Sequence, residues 1–61
     1  MKTLRAAIEE LPNRITRVRL YNTQGVYLGT YDTDKAVQQY GGRLYHSGYA
    51  ESFTEVSLWI L

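Results

Sequence analysis

The stretch RVRLYNTQGVYLGTY, residues 17–31, most constrains what this chain can fold into. Apolar and polar side chains alternate on both sides of a gap containing Gly25, the period-two pattern of a β-hairpin. The strands are expected at about 15–22 and 26–31. Their register follows from requiring like faces to pair, because a slip of one residue turns every side chain over. A loop of two residues at Gln24-Gly25 would mix the faces. A loop of three, Thr23-Gln24-Gly25, puts Gly where this common hairpin needs a left-handed residue. It sets Tyr21 against Tyr27, Leu20 against Leu28, Arg17 against Tyr31 and Arg19 against Gly29. Val18, Leu20, Val26 and Leu28 then form a core face, and the reverse face holds arginines and tyrosines.

The flanking segments supply what packs on that core. In TLRAAIEEL, residues 3–11, Leu4, Ala7, Ile8 and Leu11 share one helical stripe; Thr3 is the expected N-cap, and Pro12-Asn13 the stop. Lys2 and Arg5 sit at the positive end of this helix and Glu9 and Glu10 at the negative end, against the macrodipole. Glu9 and Glu10 are ordinary on a solvated face, unless they have a partner elsewhere. Asp32-Thr33-Asp34 opens a second helix, about 33–40, with Ala36, Val37 and Tyr40 inward and Gly41 as a left-handed cap. Residues 43–47 read as a further strand, followed by a loop at Gly48–Ser52. The last segment alternates again: Val56, Leu58 and Ile60 on one side, Phe53, Glu55, Ser57, Trp59 and Leu61 on the other. The expected fold is α+β, one domain over 1–61: a small, largely antiparallel sheet of three to four strands, the N-terminal helix on one face and a short second helix, in the order α-β-β-α-(β)-β.

Size sharpens the question of the other face. Sixty-one residues is near the lower limit for a chain folding alone, and with no cysteine neither a disulfide nor a thiolate zinc site can staple it. Tight packing or self-association must serve instead. Net charge is +1, which gives no bulk attraction to nucleic acid or membrane. No apolar run approaches the ~20 residues of a membrane span, and the acidic start does not read as a signal peptide, so a cytoplasmic location is expected.

Collected together, the side chains assigned to the face away from the helix are Arg17, Arg19, Tyr21, Tyr27, Tyr31, Phe53, Glu55, Trp59 and Leu61. Five are aromatic, and each aromatic buries on the order of 150–250 Å² when packed. Left wet, they would form an unusual patch for a monomer. Three occupants fit: a second copy of the chain, with Trp59 and Leu61 central and Glu55 paired to Arg17 or Arg19; a single-stranded nucleic acid on the arginines and tyrosines; or a host protein or protein–nucleic acid complex. The first is favoured, because Trp, Tyr and Arg dominate interface energetics and a short chain gains most from an enlarged core.

Chemistry-bearing motifs are sparse. His46 is the sole histidine, in no metal-binding spacing, and reads as structural or surface. Asp32 and Asp34 read as helix-start acids, and Gly41-Gly42-Arg43 as a cap and turn. Ser47, Ser52 and Ser57 have no nucleophile context. A metal-dependent nickase would need Asp32, Asp34, Glu51 and Glu55 gathered together. No catalytic residue, metal ligand or cofactor is therefore assigned.

The opening MKTLRAAIEELPNRITRVRLYNTQGVYLGTY, with its T-L-R-x-x-I-E-x-L-P helix and R-L-Y-x-x-x-G hairpin, resembles short accessory proteins of phages and mobile elements of Gram-positive hosts. That group includes an oligomeric anti-CRISPR protein of sheet-and-helix fold. The resemblance covers the first half of the chain and carries over no functional residue. It implies a stoichiometric inhibitor of a host process such as CRISPR defence, acting by binding rather than catalysis.

Overall fold

A computed structural model describes all 61 residues, in the order α1 (Leu4–Glu9), β1 (Arg17–Asn22), β2 (Tyr27–Asp32), α2 (Thr33–Tyr40), β3 (Tyr45–Ala50) and β4 (Glu55–Ile60). The fold is α+β. Both helices begin as their sequences require: Thr3 Oγ1 accepts from Ala6 N–H at 3.2 Å, and Asp32 Oδ1 from Lys35 N–H at 2.8 Å. The remaining first-turn amides of α1 are satisfied from the turn after α2. Leu4 N–H donates to Arg43 O at 2.7 Å and Arg5 N–H to Gly41 O at 3.0 Å, so the two helices are tied through backbone. Glu10 finds its partner in Lys2, 2.5 Å away across the same helix; both side chains are exposed, so the pair adds no more than about 1 kcal/mol.

The four strands lie in the order β2-β1-β4-β3. Each hairpin, β1–β2 and β3–β4, is antiparallel, but the central pair β1–β4 is parallel, so the sheet is mixed rather than largely antiparallel. Parallel neighbours need a long crossing connection, and β2, α2 and β3 together supply it. Val18 faces Val56 and Leu20 faces Leu58 across that pair. With Leu4, Ile15, Ala36 and Ile60 they make the buried core, and Ile8, Leu11, Leu28, Tyr31, Tyr40 and Tyr45 close its margin. Both helices therefore cover one face of the sheet.

The three-residue loop forms as expected: Gly25 is at φ +86, and the Asn22 side chain accepts from Gln24 and Val26 N–H. Tyr21 does oppose Tyr27, but the register changes at the next step. Leu20 stands opposite Gly29, not Leu28, because Leu28 is an extra residue in a β-bulge. Beyond it every side chain of β2 is reversed: Val18, not Arg17, opposes Tyr31, and Arg19 opposes Thr30. Tyr31 thus belongs to the core side, its ring over Gly29 and 5.9 Å from the Tyr40 ring, with its hydroxyl donating to Leu28 O at 3.0 Å. The neighbouring Tyr40 side chain and burial hold the Tyr31 phenol above its ordinary pKa.

Four smaller corrections follow from the same backbone. Val26 is 53% exposed, since the strand proper starts after it. Gly41 is right-handed, at φ −56, and needs glycine for space rather than handedness, because a Cβ there would run into the Val37 carbonyl. The strand placed at 43–47 lies at Tyr45–Ala50, which brings Gly48 into it, packed under Leu58 and Tyr45. β4 starts only at Glu55, leaving Phe53 in the preceding turn.

Candidate functional site

With both helices on one side, the other face of the sheet is open, and pairing across the strands orders it in three rows. Tyr27, Tyr21, Trp59 and Ser47 form the first, running from β2 to β3. Thr30, Arg19, Ser57 and Tyr49 form the second, and Asp32, Arg17 and Glu55 the third. The parallel β1–β4 pair puts the aromatic side chains of the two central strands side by side, at the same end of the sheet.

The first row is a continuous aromatic strip. Tyr21 and Trp59 stack with centroids 5.0 Å apart and planes 16° from parallel, and Tyr27 leans on Tyr21 at 5.6 Å. Tyr27 is 55% exposed, and its hydroxyl is paired with Thr30 Oγ1 at 2.6 Å, which fixes the ring on the strip. The other two rows are polar and largely self-satisfied. Arg19 donates to Glu55 at 2.8 Å, and contact with Tyr21 first, then with Glu55, raises its pKa above an already high ordinary value. Ser57 is fully buried at the centre, where its Oγ donates to Glu51 Oε2 at 2.6 Å. Arg17 and Tyr49 stand exposed at the margins.

Of the side chains assigned to this face from sequence, Arg17, Arg19, Tyr21, Tyr27, Glu55 and Trp59 are brought together. Three are not part of that group. Tyr31 is turned to the core by the bulge. Phe53 sits in the turn with the Arg14 guanidinium 4.8 Å above its ring, and Arg14 also donates to the Phe53 carbonyl at 3.2 Å. Leu61 lies past the end of β4, bound through its backbone to Leu44 and Arg43. The Glu55 partner expected across an interface is met within the chain by Arg19. Thr30, Ser47 and Tyr49 were missed, because they join the face only once the bulge and the register of β3 are known. Gly29 inside a strand pattern was the one available signal of that bulge.

This arrangement can stack and form hydrogen bonds and ion pairs. His46 Nδ1 and Ser47 Oγ, 3.1 Å apart, are neighbours in β3, His46 exposed and Ser47 half-buried. No three His, Asp or Glu side chains come together as a metal site requires: Asp32 caps α2, Glu51 binds Ser57 and Glu55 binds Arg19. A cleft of about 220 Å³ between Lys2, Ala7, Glu10, Leu11, Tyr45 and Leu58 lies on the helix side, away from the aromatic strip. Neither helix is long and apolar enough to cross a membrane. Compared with protein-family models, curated proteins and solved structures, the chain matches none.

Proposed function

We propose that this chain is a non-enzymatic, homo-oligomeric interaction protein of the cytoplasm whose open sheet face is its binding surface. The observation that carries this reading is the Tyr27–Tyr21–Trp59 strip, ordered by stacking yet covered by no helix. Stacked, hydrogen-bonded rings lose little freedom on binding, which is why Trp and Tyr anchor interfaces. A standard interface takes about 800 Å² per partner, roughly a fifth of this chain's 3874 Å². One sheet face of so small a protein is of that order. The short core points the same way, since association extends it without lengthening the chain. On the resemblance of its first half to phage accessory proteins, its target is a host macromolecule and its role the inhibition of a process such as CRISPR defence.

Sedimentation equilibrium tests the reading. The chain is expected to assemble above its 7.1 kDa monomer mass, and Trp59→Ala to weaken that association by about tenfold or more, as loss of an aromatic anchor does. A 7.1 kDa species at every concentration overturns it. The Tyr21–Trp59 stack also resembles a platform for single-stranded bases. Arg19 is committed to Glu55, however, which leaves Arg17 as the free cation of the strand. Saturable oligonucleotide binding that weakens steeply with salt would favour the nucleic-acid reading instead.

A further inference from the structure

The sheet has two edges, and they differ in how well they are guarded. Along β2 the edge is broken: Leu28 is bulged out, Gly29 is at φ +131, and the Leu28 carbonyl already accepts from the Tyr31 hydroxyl. Asp32 adds a charge at its end. Along β3 the one irregularity is a register shift between Tyr45 and Ser47, and from Ser47 to Ala50 the strand runs in regular register with β4. Tyr45–Ala50 reads YHSGYA, with none of the Lys, Asp, Glu or Pro residues that usually blunt an exposed strand.

The hydrogen-bond pattern shows which groups that edge offers. Glu51 N–H donates to Glu55 O at 3.0 Å, so this is a hydrogen-bonded pair of the β3–β4 ladder. Alternation from there turns the backbone of Tyr49 and Ser47 towards β4, and the N–H and C=O groups of Gly48 and Ala50 outwards. The start of the same edge already carries added chain. Thr3 forms an antiparallel bridge with Leu44, and Tyr45 N–H donates to Lys2 O at 2.9 Å. Beyond that point the edge is bare.

The geometry points to this bare edge as a self-pairing site: a second copy adds its own β3 antiparallel, about a two-fold axis through Tyr49. The outward groups of Gly48 and Ala50 are placed symmetrically about Tyr49, so Gly48 of each copy meets Ala50 of the other and both hydrogen bonds are exchanged. The strand carries no charge, and the nearby Glu51 is turned back onto Ser57, so two copies bring no like charges together. The two Tyr49 side chains, each 64% exposed, meet as an aromatic cross-strand pair on the open face. Two sheets become one, with their open faces side by side. This contact is distinct from burial of the aromatic strip and does not require it.

The absence of cysteine makes the test clean. Across the axis, the Tyr49 pair is of the non-hydrogen-bonded type, with Cα atoms about 4.5 Å apart, within disulfide reach. With glutathione disulfide as oxidant, Tyr49→Cys is expected to cross-link into a dimer about tenfold faster than Thr23→Cys, an exposed position in the distant β1–β2 loop. The same rate is expected when Trp59→Ala is added. In the unaltered chain, amide exchange at Gly48 and Ala50 is expected to slow as protein concentration rises. Equal cross-linking of the two cysteine variants, or exchange at Gly48 and Ala50 independent of concentration, overturns the proposal. Cross-linking lost with Trp59→Ala overturns it as well, by assigning the contact to the aromatic strip.

Discussion

Leu20→Ala is expected to remove about 2–5 kcal/mol of stability, read as a drop in the urea midpoint at unchanged slope. Leu20 is fully buried on β1, with Leu58 beside it on the parallel strand and only Gly29 opposite on β2. The Tyr31 ring already fills the space over Gly29 and is held there by the bond from its hydroxyl to Leu28 O, so it does not lean into the vacated volume. The cavity is therefore expected to stay open and the cost to lie in the upper part of that range. A domain of this size has on the order of 3–9 kcal/mol in total, at ~0.05–0.15 per residue. The substitution should leave much of the population unfolded at ambient temperature. Val26→Ala, at an exposed position, is the matched control and should change stability by about 0.5 kcal/mol or less.

Gly29→Ala is expected to be nearly as damaging, for a different reason. At φ +131 an L side chain is strained wherever it stands, by about 1–3 kcal/mol. Here the added Cβ would also meet the Tyr31 ring, with Tyr31 Oη at 2.7 Å. Tyr31 would have to leave, giving up its hydrogen bond to Leu28 O and its contact with Tyr40. Gly25→Ala separates the two contributions. Gly25 is at φ +86 with open space around its Cβ position, so only the backbone strain applies. The Gly29→Ala loss in a denaturation series should exceed the Gly25→Ala loss by at least about 1 kcal/mol, the scale of a lost buried hydrogen bond and packed ring. Equal losses would mean that Tyr31 moves at no cost and that the bulge is not held by it.

These two positions also show why part of the fold was legible and part was not. The caps at Thr3 and Asp32, the three-residue loop and the inward set Val56, Leu58 and Ile60 follow from local chemistry, which involves residues at most a few positions apart. The bulge is a relation between β2 and its partner. Tyr27, Gly29 and Tyr31 alternate perfectly in the sequence, and nothing in that alternation says that Leu28 drops out of the ladder. One extra residue was enough to move Tyr31 from the proposed binding face to the core. The parallel β1–β4 pairing was hidden for the same reason. It joins Arg17–Asn22 to Glu55–Ile60 across most of the chain. Its consequence for the candidate site is large, since it stacks Tyr21 on Trp59. Phe53 was placed by extending the alternation of β4 too far back; the Arg14 contact that holds it in the turn is also non-local.

The face that results is smaller than the sequence implied and better ordered. It loses Tyr31, Phe53 and the strand position of Leu61. It gains Thr30 as a hydrogen-bond partner for Tyr27 and Tyr49 at the free edge, while Ser57, already on that side by alternation, becomes its buried floor. Arg19 and Glu55 already satisfy each other, so the energy of binding must come chiefly from the aromatic strip, with the ion pair setting orientation.

Trp59 is the single tryptophan of the chain and forms one end of that strip, stacked on Tyr21, so its fluorescence reports directly on whether the face is covered. Emission and acrylamide quenching should be followed across a dilution series of the unaltered protein. The account predicts blue-shifted, quencher-protected emission at high concentration that turns red-shifted and freely quenched on dilution, while the fold stays intact by circular dichroism. Emission that is red-shifted and fully quenchable at every concentration, from a folded chain, would contradict it.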